Sequence, residues 1–377
     1  MLLKKIKYSE HLGEPRAWEL EELTLDKVNL FVGKNACGKS RILNVIFSIA
    51  KLLSQRLRSI SSGTFEIEIE VDDKTYNYFI DIADNQIVSE SYSQGEKQLL
   101  SREKDGTGTI LFATEDDYKE FQISVDQIAA VAKLDLIQHP FLAPLHDWAS
   151  AVIHYSFGTD MGRTSLLIPT NNFGEKFSIT QTDKAVNFML QGLKDFGDDF
   201  KSAVIHDLNE IGYDVEDVGT AAPTGVSIEA PQNLSVDDIH GIFVKEKAIE
   251  ARVEQTNISQ GMFRAVAIIC ELNYMLLSKF EGCHLIDDIG EGLDFDRSSS
   301  LIELVVEKAL QGSMQLLMST NDRFVMNAIP LEYWSLLQRD GQTVKALTHK
   351  NSKDKFEEFK FTGLSNFDLY SSDFLQS

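Results

Sequence analysis

Val28-Asn29-Leu30-Phe31-Val32, followed by Gly33-Lys34-Asn35-Ala36-Cys37-Gly38-Lys39-Ser40, is the stretch that decides how this chain reads. The first segment is a short apolar run, the pattern of a parallel strand buried on both faces. The second fits GxxxxGK[ST]. Glycines in such a loop let the backbone curl around an anion, so that successive N–H groups face it. From Ser40 to Leu53, apolar residues at Ile42, Leu43, Ile46, Ile49, Ala50 and Leu53 recur at a helical period. A helix starting there turns its positive end towards the same anion. The reading is therefore strand, phosphate loop, helix. Lys39 is expected to neutralise β- and γ-phosphate oxygens of ATP, and the Ser40 hydroxyl to ligate Mg²⁺. Gly33, Lys34, Asn35, Ala36, Cys37, Gly38, Lys39, Ser40 and Arg41 form the candidate nucleotide-contacting set. Cys37 occupies a variable position of the loop and reads as a tolerated small residue.

Composition narrows the setting. The chain has 377 residues, 43% of them hydrophobic and 25% charged, which is a globular protein of two to three domains. Asp and Glu number 58 against 36 Lys and Arg, a net charge of −22. A protein that holds nucleic acid through its general field is normally basic. DNA contact would need a local basic groove, for which Arg56, Arg58, Lys345, Lys350, Lys353 and Lys355 are candidates. No apolar stretch is long enough to span a membrane. Lys4, Lys5 and Lys7 are not followed by the apolar core of a signal peptide. The cysteines Cys37, Cys270 and Cys283 fit neither a zinc site nor a disulfide framework, which suits a reducing cytoplasm.

Along the chain, the period changes. Residues 64–93 alternate, with Phe65, Ile67, Ile69 and Val71 and then Tyr76, Tyr78, Ile80 and Ile82, as in an antiparallel meander. Residues 94–108 read as a polar surface loop. Residues 116–156 and 182–211 read as mainly helical, the second with a stripe of Phe188, Met189, Leu193, Phe196, Phe200 and Val204 that suits core packing. Gly219 to Gly225 reads as a linker. Strands are expected over 239–253, a helix from Gly261, and buried strands at Leu285-Ile286 and Leu316-Leu317-Met318. The expected division is an N-terminal lobe over 1–115, an inserted mainly helical subdomain over 116–235, and a C-terminal lobe over 236–377.

A phosphate loop needs a second carboxylate for the metal shell. His284-Leu285-Ile286-Asp287-Asp288 supplies one at the end of an apolar strand. Asp287 is the expected metal-side acid, and Asp288 stands where a base would polarise the attacking water. Around this pair a resemblance gathers. Asp287-Asp288-Ile289-Gly290-Glu291-Gly292-Leu293-Asp294 resembles the Walker B and D-loop run of ABC-type ATPase heads. Ser259-Gln260-Gly261 at a helix start resembles the ABC signature. Met318-Ser319-Thr320-Asn321-Asp322 lies where those heads place a switch histidine. The order of motifs resembles the SMC/RecF/OLD branch, and in particular compact ATP-binding proteins of bacterial antiphage defence loci.

The resemblance implies an α/β fold: a P-loop ABC-type head with a mixed sheet, an antiparallel β subdomain and an inserted helical subdomain. It implies a homodimer with ATP and Mg²⁺ sandwiched at the seam, Ser259 and Gly261 acting in trans to Lys39 and Ser40, and Asp294 crossing the interface. Three departures imply slow hydrolysis: Asp288 for the usual Glu, Asn321 for the switch His, and Gln260 for the first signature glycine. Gln127 and Gln138 are both open as the Q-loop glutamine. No Toprim, HNH or zinc pattern accompanies the head, and no coiled-coil arms interrupt it. A protein effector in trans, such as a nuclease or toxin, is therefore the expected partner. A RecF-like DNA-repair ATPase and a non-hydrolysing ATP sensor remain the alternatives.

Overall fold

The computed structural model describes residues 1–159, 163–164, 185–224, 239–372 and 374. Gly225 of the expected linker, residues 182–184 of the expected helix and the expected boundary at 235/236 lie outside them.

The chain opens with the hairpin β1 (Leu2–Glu10) and β2 (Trp18–Thr24), then β3 (Val28–Val32), the phosphate loop and α1 (Lys39–Leu53). A meander follows: β4 (Gly63–Val71), β5 (Lys74–Ala83), β6 (Gln86–Gln94), β7 (Lys97–Arg102), β8 (Thr107–Phe112) and β9 (Asp117–Gln122). Next come α2 (Ala129–Ala132), α3 (Ala143–Ser150), β10 (Val152–Ser156) and α4 (Ala185–Glu210). A separate small sheet is built from β11 (Val215–Ala221), β12 (Gly241–Glu246) and β13 (Val253–Glu254). The last part holds α5 (Gln260–Leu277), β14 (Cys283–Asp287), α6 (Phe295–Gln311), β15 (Gln315–Ser319), α7 (Arg323–Ala328), β16 (Trp334–Asp340), β17 (Thr343–Thr348), α8 (Lys353–Lys360) and α9 (Asn366–Ser371).

The main sheet runs β10-β14-β15-β3-β16-β17-β2-β1-β4-β5-β6-β7-β8-β9. The first five strands are mutually parallel, and β17 turns back against β16. From β2 outward through β1 and the meander every pairing is antiparallel. The parallel strands are apolar on both faces because helices cover both. Leu30, Ile286, Leu316 and Met318 pack into the core with α4, α5 and α6. Their neighbours Phe31, Leu285 and Leu317 face the other core, with α1, α3 and the meander. Parallel strands also share one carboxyl end, so the loops after β3, β14 and β15 open together, where α/β proteins take their ligands.

Three local expectations are corrected. Residues 116–156 are not mainly helical: they give β9, two short helices and β10. Val152-Ile153-His154-Tyr155-Ser156 is too short for period to separate strand from helix, and parallel pairing with β14 settles it. Residues 94–108 contain β7, not only loop. The strand looks polar because Arg102 is buried, donating from Nη1 to Ile87 O and from Nη2 to Ser124 O, both at 3.0 Å. Gly219 to Ala221 end β11, paired with β12, so this part of the expected linker is strand.

The aromatic stripe of α4 is core, as its spacing implied: Phe188, Met189, Phe200 and Val204 are buried. The helix breaks at Gly197, whose φ is 56°. On the same helix, buried Asp207 accepts at Oδ2 from Lys308 Nζ of α6 at 2.8 Å and from Asn273 Nδ2 of α5, and Lys308 Nζ also donates to Asn273 Oδ1 at 3.2 Å. This knot ties three helices. Asp207→Ala removes the counter-charge of the largely buried Lys308 ammonium, leaves it only the Asn273 oxygen, and is expected to destabilise the fold by about 3 kcal/mol in urea unfolding. A loss near zero would mean that Lys308 reaches water instead.

Candidate functional site

The phosphate loop is shaped by two left-handed residues. Ala36 has φ 63° and Gly38 φ 114°. Alternation of this kind turns N–H groups to one side and makes an anion-binding concavity. Lys39 is 6% exposed, and its Nζ donates to Gly33 O at 2.7 Å, closing the loop on itself. Cys37 is also buried, and burial pushes its thiol pKa up. All three cysteines are free and buried.

The loop meets the end of β14. Ser40 Oγ donates to Asp287 Oδ1 at 2.9 Å. Ser319, the last residue of β15, also donates to Asp287 Oδ1, and its hydroxyl accepts from the Asp288 N–H at 3.0 Å. The next residue, Asp288, has φ 55°, a left-handed conformation that aspartate tolerates better than most residues. Asn321 Nδ2 donates to Asp288 Oδ1 at 3.1 Å. Asp288 has its pKa raised: burial dominates, and the charges of Asp287 and Glu291 add to it against Lys39 and Asn321. Residues far apart in sequence are thus brought together at one edge of the sheet.

This donor set suits a hard cation. A hydroxyl and a carboxylate already within hydrogen-bonding distance, beside a loop shaped for phosphate, are Mg²⁺ chemistry. Ser40 and Asp287 would hold the ion. Ser319 is a residue that sequence reading missed. It fixes the Asp287 carboxylate and the Asp288 backbone at once, and in sequence it stands only as an unassigned member of the 318–322 run. Ser319→Ala is expected to weaken Mg²⁺-dependent nucleotide binding by about 10-fold or more, as loss of an outer-shell partner does. A Mg²⁺ titration of nucleotide affinity that matches wild type would remove Ser319 from the site.

The signature and D-loop positions stand apart from this cluster. Ser259 is the N-cap of α5 and its hydroxyl accepts from the Met262 N–H at 3.3 Å. A Cβ on Gly261 would lie 2.6 Å from Gly292 O, so glycine lets the D-loop backbone pack against the helix start. Buried Arg264, also missed from sequence, donates to Glu291 O and Gly158 O, each at 2.7 Å, and to Thr159 O at 3.1 Å. It thereby anchors the signature helix to the segments after β14 and β10. Asp294 caps α6, accepting from the Arg297 N–H at 3.1 Å and pairing with the Arg297 guanidinium.

A cleft of about 420 Å³ beside the loop is lined by Asn35, Lys39, Ser40, Arg41, Asn321, Arg339 and Trp18 among others. Ser259, Gly261 and Asp294 are not among its lining residues, and neither are Gln127 and Gln138. Of the basic candidates for DNA, Arg56 is committed to the fold, donating to Ala149 O at 2.7 Å and Val152 O at 3.1 Å. Lys350 pairs with Asp26. No helix among the described residues is long and apolar enough to cross a membrane.

No family model and no curated protein matches the sequence. Solved structures do match the fold. One is an SMC head bound to the C-winged helix domain of ScpA, with a TM-score of 0.51 and 12% identity over 92% of this chain and 97% of that one. Another is the SMC head domain with an extended coiled coil, bound to the C-terminal domain of ScpA, from Pyrococcus furiosus, with a TM-score of 0.50 and 12% identity over 95% of this chain and 100% of that one. The fold is that of an SMC head domain.

Proposed function

We propose that this chain is an ATPase that closes into a homodimer around Mg²⁺ and ATP and controls a protein partner. The observation that carries the reading is the convergence of Ser40 with Asp287 at 2.9 Å and of Asn321 with Asp288 at 3.1 Å, beside the Lys39 loop. Lys39 and the loop N–H groups take the polyphosphate, and Ser40 with Asp287 hold the metal. When bound there, Mg²⁺ would supply charge neutralisation for the polyphosphate. Asp288 accepts a proton from the attacking water, and Asn321 aims its carboxylate. The Ser259 hydroxyl accepts one bond within its helix, which leaves its proton free to donate to a phosphate of the other protomer. Gly261 and Asp294 would lie at the same seam.

Slow turnover follows from the residues in the catalytic places. Aspartate is one methylene shorter than glutamate, and Asn321 can hydrogen-bond but cannot titrate near neutrality. The biological setting we propose, control of an effector such as a nuclease or toxin in bacterial antiphage defence, rests on the motif resemblance. The negative net charge supports a protein partner over bulk DNA. The test is light scattering with and without ATP and Mg²⁺, run beside a phosphate-release assay. A monomer that becomes a dimer with nucleotide and turns over well below one ATP per second supports the reading. A chain that binds no ATP, or stays monomeric when loaded, sinks it.

A further inference from the structure

Arg41 follows the loop serine directly, and its recorded contacts are with strands on the other side of β3 from the metal-side carboxylates. In the sheet, β14 and β15 flank β3 on one side, while β2 and β1 lie on the other, beyond β16 and β17. Asp287, Asp288 and Asn321 belong to the first side. Arg41 belongs to the second: its guanidinium lies 4.4 Å from the centroid of the Trp18 ring of β2 and pairs with Glu10 of β1. Tyr8 Oη donates to the other oxygen of Glu10 at 2.9 Å, so the carboxylate is itself fixed. Trp18 is 1% exposed and cannot stack on a ligand, whereas the Arg41 side chain is 42% exposed. The result is a planar guanidinium resting over an indole and paired with a carboxylate, with part of its surface exposed on the cleft that Lys39 and Ser40 also line.

We infer that Arg41, carried on Trp18 and locked by Glu10, is the stacking platform for the nucleobase. This rests on the reading that the loop holds the triphosphate. With the terminal phosphates drawn towards Ser40 and Asp287, the ribose and base must leave the loop on the opposite side, where this flat cation stands. A planar, weakly hydrated guanidinium can lie parallel to a π-face and cover it, whereas a lysine ammonium offers only a point charge. Such a platform reads the face of the base and not its hydrogen-bonding edge, so it contributes affinity for a nucleotide that inorganic polyphosphate does not receive.

The test compares ATP with inorganic tripolyphosphate, both with Mg²⁺, by calorimetry on the full chain and on Arg41→Ala and Arg41→Lys. ATP affinity is expected to fall about tenfold in both variants, the scale of one stacking contact. Tripolyphosphate affinity is expected to stay at the wild-type value, which also shows that the loop is still folded. Equal losses for both ligands, or full recovery of ATP binding in Arg41→Lys, would make Arg41 a phosphate cation and overturn the proposal. Unchanged ATP binding in Arg41→Ala would overturn it too. Wild-type protein that binds neither ligand would refute the phosphate loop itself, a different failure.

Discussion

Asp288→Asn is expected to lower ATP turnover by about 10²–10⁴-fold while ATP still binds. Asparagine keeps the shape, accepts the Asn321 hydrogen bond through its own oxygen, and tolerates the left-handed φ of 55°. Only the capacity to take a proton is lost. The same change is expected to raise the melting temperature at pH 7 to 8. The sign follows from the raised pKa of Asp288, caused by burial first and by Asp287 and Glu291 after it. The folded state then binds this proton more tightly than the unfolded chain does. Above the folded pKa the carboxylate is charged in both states, and its charge costs the folded state stability. Removing the charge returns that stability. As pH falls through the folded pKa, the wild type protonates as well and the advantage disappears. Nucleotide-trapped dimers should accumulate in the variant. Turnover equal to wild type would place the base elsewhere, with Glu291 the nearest alternative.

What was legible in the sequence were features whose cause is local. Val28 to Val32 read as strand because both faces are covered, and the glycine spacing of the loop is a backbone requirement. His284 to Asp288 read as strand and acid for the same reason. Ser259 opening a helix is a capping rule visible in one residue. What was not legible depends on distant partners. Ser319 matters only because β15 lies beside β14, and Arg264 only because two other segments bring carbonyls to it. Strand β10 and the end of β11 took their state from pairing, against composition that favoured helix and loop. Asp294 and Gly261 have a structural use within one protomer, so their presence in a motif does not by itself establish a role across a seam.

Mixing two differently defective variants separates a role within one protomer from a role across the seam. Lys39→Ala should abolish ATP binding at its own loop, and Ser259→Arg should block phosphate contact from its own signature. Each variant alone is expected to fall to background hydrolysis. If the signature acts in trans, mixing the two in equal amounts restores activity. Random pairing makes about half of the dimers mixed, and each of these has one intact composite site, so about a quarter of wild-type activity returns. If Ser259 instead serves its own protomer's loop, every site in the mixture carries a defect and activity stays at background. Recovery also proves that both variants fold, which matters because Ser259 caps α5. The charge of the chain sets the conditions. Each protomer carries −22, so two copies repel at low ionic strength and exchange is best run near physiological salt, where the screening length is about 8 Å. If nucleotide at the seam holds the mixed dimers under those conditions, a plateau that depends on ATP and Mg²⁺ is the expected result.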